Sequence, residues 1–114
     1  KKQGLNLLTG PGNDIVSTTN LTAAGANIIL FTTGRGTPLG ASVPTIKVSS
    51  NSRLAKRKSN WIDFNAGELI ESNDFENMTE EIFKLLIDIA SGRQTKNEQN
   101  GYRDISIFKD GVIM

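Results

Sequence analysis

The sequence predicts a small three-layer, Rossmann-like α/β domain whose sheet is mostly parallel and holds about four to five strands. Three observations carry that reading. The run "ANIILFTT", residues 26–33, is continuously apolar through its middle, as a strand buried on both faces of a helix-covered parallel sheet would be. Strand-like and helix-like stretches alternate along the chain, the order expected of βαβ units. Apolar residues between Met78 and Ser91 recur at helical spacing, which gives one helix a broad face to lay on a sheet.

Taken in order, "GLNLL" (Gly4 to Leu8) reads as a short strand, and "TGPGND" behind it is turn chemistry, with Pro11 between two glycines. Asn13 or Asp14 is placed to cap a helix over "IVSTTNLTAAG" that Gly25 closes, although Ser, Thr and Asn dilute its apolar stripe. With "ANIILFTT" these complete a first strand, helix and strand. "VPTIKVSSN" is a third strand, in which Ile46 and Val48 alternate with Thr45, Lys47 and Ser49. Ser50 or Asn51 can cap a short helix in "SRLAKRKSN". "WIDFNAG" follows as a fourth strand, with Ile62 and Phe64 on one face and Asp63 and Asn65 on the other. "ESNDFEN" reads as a polar connector. The clearest helix spans about Met78 to Ser91 behind an Asn77 cap, with Glu80 three residues on and Gly92 as its stop. "SGRQTKNEQNGY" reads as a long polar loop and "DISIFKDG" as a final strand.

The 114 residues suffice for one domain with a real core. Lys and Arg total 13 against 12 Asp and Glu, and the net charge of +1 gives no reason to expect nucleic acid or an anionic membrane as partner. The absence of cysteine excludes disulfides and thiolate metal sites. The absence of histidine means that a metal held by this chain alone would need oxygen ligands. No apolar run of about 18 residues and no signal-peptide pattern occurs, so a cytoplasmic protein is expected. The chain opens without Met almost directly on a strand-like run, as an excised piece of a longer protein would.

In an open parallel sheet, ligands bind beyond the carboxyl ends of the strands. "TTGRGT", "SSN" and "NAG" fall at such ends. Gly34, Gly36 and Gly40 allow backbone angles and close approaches that side chains forbid. The hydroxyls of Thr32, Thr33 and Thr37 and the Arg35 fork offer dense hydrogen-bond donation to a carboxylate or phosphate. Local chemistry supports equally a tight strand exit with Arg35 solvated or ion-paired. Asp14 either caps its helix or orients a hydroxyl or a hard cation. Lys47, mid-strand and opposite Ile46 and Val48, either snorkels to an edge or reaches a substrate carboxylate. The four cations of "RLAKRKS" read as a solvated helix face rather than a phosphate patch. "GPGND" supplies only Gly10 and Gly12 of a dinucleotide fingerprint, and no P-loop is present, which disfavours a nucleotide-phosphate binder.

Together, "TGPGNDIVSTTNLTAAGANIILFTTGRGTPLG", "VPTIKVSSN", "WIDFNAG" and "GYRDISIFKDGV" resemble, in this order, the C-terminal region of the altronate dehydratase and galactarate dehydratase family of sugar-acid dehydratases. The likeness runs across nearly all of Leu5 to Val112, and its most specific stretches are "LFTTGRGTP", "PTIKV" with the following "SN", and "DFNAG". The resemblance implies the carboxyl-terminal segment of a longer, multi-domain hydro-lyase, with the altronate type the nearer match. It implies elimination of water from a hexonic or aldaric acid to give a 2-keto-3-deoxy acid, in an enzyme that depends on iron(II) or manganese. Its partners would be the sugar acid and the preceding domains, with room for a homo-oligomer.

On that resemblance, Arg35 with the backbone and hydroxyls of Thr32, Thr33, Gly34, Gly36 and Thr37 would hold the substrate carboxylate or its hydroxyls. Lys47, Asn51 and Asn65 would lie nearby, and Asp14 would help position the polyol. Because the chain lacks imidazole, the metal ligands and the general base would lie on the preceding part, and this segment alone would be inactive. The contrasting expectation is a noncatalytic scaffold or assembly module in which the glycine loop is only a tight turn.

Overall fold

The computed structural model describes residues 3–107. Its elements follow in the order α1 (Asp14–Ala23), β1 (Ile29–Thr33), β2 (Thr45–Ser49), α2 (Ser52–Arg57), β3 (Phe64–Asn65), α3 (Glu68–Ser72), α4 (Phe75–Ala90) and α5 (Lys96–Gln99). The strands form one sheet in the order β1-β2-β3, and both pairings are parallel. No helix among the described residues is long and apolar enough to cross a membrane.

β2 is the central strand, and all five of its residues are buried. Its alternation divides the sheet into two unlike faces. Ile46 and Val48 pack with Ile89 of α4 at the centre of the core, and Ile28, Phe64, Ala66, Ile82, Leu85 and Leu86 close around them. Ile82 and Ile89 stand seven residues apart, two turns of α4, so one helical stripe covers this face. Thr45, Lys47 and Ser49 point the other way, where Asn97 of α5 donates from Nδ2 to the Thr45 carbonyl at 3.2 Å.

The helix ends follow capping chemistry. Asn13, the first of the two cap candidates, accepts from the Val16 N–H at 3.4 Å, and Gly25 follows the last turn at φ +100°. Asn51 likewise caps α2, accepting from the Leu54 N–H at 2.8 Å. Gly92 stops α4 at φ +108°.

Several expectations are corrected. The sheet has three strands among the described residues, not four to five. "GLNLL" joins no ladder, so the first βαβ unit is absent, whereas β2, α2 and β3 form the second. The described part of "DISIFKDG", up to Ile107, pairs with no strand, and residues 108–111 lie outside the described residues. β1 is an edge strand with Leu30 half exposed, and only β2 is buried on both faces. The fourth strand shrinks to Phe64–Asn65, because the Asp63 carboxylate itself accepts from the Lys47 N–H at 2.8 Å where a ladder carbonyl would stand.

The polar connector "ESNDFEN" is helical on both sides of Asn73, which turns the chain at φ 52°. Asp74, not Asn77, caps α4, accepting from the Asn77 N–H at 3.2 Å, so the helix starts at Phe75. Acidic residues there complement the helix dipole rather than break the helix. The long polar loop contains α5, closed by a capping box between Thr95 and Glu98.

Candidate functional site

Thr33, Ser49 and Asn65 are register partners across the three strands, so they form one row at the carboxyl edge of the sheet. The chain leaves the sheet from each of them, and the three exits are tied to one another. Ser50 N–H donates to the Thr33 carbonyl at 3.0 Å, and Ala66 N–H donates to the Ser49 carbonyl at 2.9 Å. Asn51 couples the first two loops: its Nδ2 donates to the Gly34 carbonyl at 3.1 Å while its Oδ1 caps α2. Ser49 Oγ donates to the Asn51 carbonyl at 2.6 Å.

Two glycines are required by these crossings. Gly36 sits at φ +86°, and a Cβ there would come within 2.9 Å of Leu54 Cδ1. A Cβ on Gly67 would lie 2.5 Å from Asn51 Cα, so the third exit runs directly over the start of α2.

The glycine loop is held from within. Gly36 N–H donates to Thr33 Oγ1 at 3.0 Å, and Lys47 Nζ donates to the carbonyls of Thr37 and Leu39, each at 2.6 Å. Lys47 is wholly buried, and its Nζ stands 4.4 Å from the centroid of the Phe31 ring, a cation–π contact. It therefore does not snorkel to an edge. Burial lowers its pKa from 10.5 to about 8, against the opposing pull of the Asp63, Asp14 and Asp104 carboxylates.

Against this frame Arg35 is exposed, and its guanidinium has no hydrogen bond or ion pair among the described residues. Thr32 is exposed on the opposite pleat from Thr33, and Thr37 is half-buried. Asn65 is engaged inside the chain: Nδ2 donates to Ser52 Oγ at 3.2 Å and to Glu68 Oε1 at 2.9 Å, and Oδ1 accepts from Gly67 N–H at 3.1 Å. Asp14 is exposed in the first turn of α1, leaves the cap to Asn13, and lies near enough to Lys47 to favour its charged form.

Beside β3 an open concavity of about 380 Å³ is lined by Ser52, Lys56, Asn65, Glu68, Glu71 and Ser72. Of these the sequence singles out only Asn65. Lys56 belongs to the basic run read as solvated, and Glu68 stands three residues past Asn65, a spacing that becomes a signal only once Asn65 and Gly67 are known to form a turn.

The family described as "D-galactarate/Altronate dehydratase, C-terminal" matches residues 1–113. The chain belongs to this family. It is 49% identical to an altronate dehydratase of Escherichia coli (strain K12) over 100% of this chain and 23% of the relative. An altronate dehydratase of Bacillus subtilis (strain 168) is 47% identical over the same shares. A galactarate dehydratase (L-threo-forming) of E. coli (strain K12) is 35% identical over 98% of this chain and 22% of the relative. The chain thus spans about a quarter of the length of the curated relatives it matches.

In this galactarate/altronate dehydratase C-terminal domain, then, Thr33, Gly34, Gly36, Asn51 and Asn65 come together at the carboxyl edge, and Lys47 anchors their loop from inside. No group of three or more acidic residues among the described residues could hold a metal, and the chain has no histidine or cysteine. The residues present do not fit a transition-metal centre.

Proposed function

We propose that this chain is the carboxyl-terminal domain of a cytoplasmic sugar-acid dehydratase of the altronate type, and that it presents Arg35 to the carboxylate of the substrate. The observation that carries this reading is the contrast at the glycine loop. Thr33, Gly34, Gly36 and Thr37 all have main-chain or side-chain partners inside the domain, whereas the Arg35 guanidinium between them has none among the described residues. A preorganised loop with an unengaged planar cation suits bidentate capture of a carboxylate.

The reaction gives that contact its use. A base removes the proton alpha to the carboxylate, hydroxide leaves the neighbouring carbon, and the enol ketonises to a 2-keto-3-deoxy acid. The enediolate formed on proton removal concentrates charge on the carboxylate oxygens, where a fixed guanidinium stabilises it most. Thr33 Oγ1 is engaged by the Gly36 N–H, so Thr32 and Thr37 are the loop hydroxyls offered to the polyol, with Asp14 near the same face. Asn51 and Asn65 act by holding the loops. An iron(II) or manganese requirement in such an enzyme would be met by ligands on the preceding part of the polypeptide.

A second reading, a noncatalytic scaffold, draws on the engagement of Asn51 and Asn65 within the chain. A backbone amide NMR titration of the folded 114-residue chain with altronate, against a neutral sugar alcohol, separates the two. Shifts confined to Thr32–Thr37 with the acid alone support carboxylate capture. Identical responses to both compounds contradict it.

A further inference from the structure

Two segments beside α1 carry exposed apolar side chains: residues 3–10 are exposed throughout, and along 104–107 half-buried and exposed residues alternate. Leu5 and Leu7 are 95% and 94% exposed, and Ile105 and Ile107 are 61% and 92% exposed. These segments are anchored. Asn20 Nδ2 donates to the Thr9 carbonyl at 3.2 Å, and Thr19 Oγ1 accepts from the Ser106 N–H at 2.9 Å. Asp104 N–H donates to the Gly40 carbonyl at 2.6 Å. Successive helical residues point about 100° apart, so anchors on Thr19 and Asn20 put the two segments on neighbouring flanks of α1.

The alternation is the reverse of what a free surface needs. Asp104 and Ser106 are half-buried while Ile105 and Ile107 face outward, and in a segment left in water the polar residues would take the outer positions. Scattered exposed leucines need no explanation, but Ile105 and Ile107, turned outward by the hydrogen bonds at Asp104 and Ser106, with Leu5 and Leu7 just ahead of the Thr9 anchor on the neighbouring flank, form a surface made to be covered.

The relatives indicate what covers it. The family is a C-terminal one, and its altronate dehydratase relatives are about four times the length of this chain, so most of such a polypeptide precedes the region matched here. An extended chain spans at most about 3.6 Å per residue, so the polypeptide ahead of Lys1 begins within about 15 Å of Leu5. Covalent continuity delivers that part to this flank in every molecule, without a diffusional encounter.

We infer that the Leu5/Leu7 and Ile105/Ile107 margins of α1 are the seat of the preceding part of the same polypeptide, packed as a domain interface within one subunit. This rests on family membership and is independent of the role assigned to Arg35. The test uses the full-length protein, with a benzophenone amino acid placed at Leu7 and, separately, at Ile107. Subunits grown in light and heavy nitrogen are mixed before irradiation. The expected crosslinks join either position to residues ahead of Lys1, with both peptides carrying the same isotope. Mixed-isotope crosslinks would assign the surface to another subunit and overturn the proposal. Hydroxyl-radical footprinting of the unmodified protein covers the case in which a variant does not fold. Leu7 and Ile107 are expected to be protected, and strong labelling of both would overturn the inference.

Discussion

Lys47 Nζ donates to the main-chain carbonyl of Thr37 at 2.6 Å, which ties the far end of the arginine loop to the centre of the sheet. The same ammonium holds the Leu39 carbonyl, so one buried cation fixes the loop at two points. Two measurable consequences follow from its burial and its contacts.

The first is a pH dependence. In the folded chain burial lowers the Lys47 pKa from 10.5 to about 8, so between those values the unfolded chain binds more protons than the folded one. Stability attributable to this residue therefore rises as pH increases from about 8 to about 10.5, by about 3 kcal/mol in total. Urea unfolding of the chain across that window should show the rise, and in Lys47→Met the same window should lack it. Parallel pH profiles for the two proteins would exclude Lys47 as the source.

The second concerns the loop. Lys47→Met removes both contacts and leaves the Leu39 carbonyl without a donor among the described residues, at about 1–3 kcal/mol for a group left unsatisfied, whereas the Thr37 carbonyl keeps the Leu39 N–H at 2.8 Å. Amide exchange over residues 35–39 should accelerate in this variant more than exchange in α4. Uniform acceleration across the domain would instead mark Lys47 as a general core residue.

Glycine substitutions should divide by position. Gly67→Ala places a Cβ 2.5 Å from Asn51 Cα, where only backbone movement relieves the clash, and a loss of about 2 kcal/mol or more is expected. Gly36→Ala meets both φ +86° and Leu54 Cδ1 at 2.9 Å, and about 1–2 kcal/mol is expected. Gly12→Ala meets nothing within 4 Å and should change stability by less than about 0.5 kcal/mol. Denaturant midpoints of the three variants give the ranking directly.

The Asn65 clamp is testable by charge. Asn65→Asp replaces the Nδ2 donor to Glu68 Oε1 with an acceptor, setting two carboxylates where a 2.9 Å hydrogen bond stood. A loss of about 1–3 kcal/mol is expected at neutral pH. Adding Glu68→Gln should recover part of it, and a double-mutant cycle with additive losses would show that the two side chains do not interact.

Local signals made part of this fold legible. The alternation of Ile46 and Val48 against Lys47, the Asn13 and Asn51 caps, the Gly25 and Gly92 stops and the stripe through Ile82 and Ile89 are readable because each lies within one element and its ends. "GLNLL" and "DISI" were misleading for the same reason: alternation describes a segment that can be extended, whereas a strand needs a neighbour with free backbone groups at the right register. Short elements were lost in polar sequence. α5 lies within a run of Gln, Lys, Asn and Glu, although Thr95 and Glu98 stand at capping-box spacing and could have disclosed it. At the site, proximity to strand ends brought out Thr33, Arg35, Asn51 and Asn65. Lys56, Glu68 and Glu71 entered only through the packing of α2 and α3 beside β3, which no local pattern encodes.

The contribution of Arg35 is tested most directly by the kcat/KM of Arg35→Ala for altronate in the full-length enzyme, with its thermal unfolding followed in parallel. If the guanidinium clamps the carboxylate, kcat/KM falls by about two or more orders of magnitude, roughly 3 kcal/mol, at unchanged unfolding temperature. Turnover within about threefold of the natural enzyme in a normally folded variant would contradict substrate capture by this loop and leave the domain a scaffold.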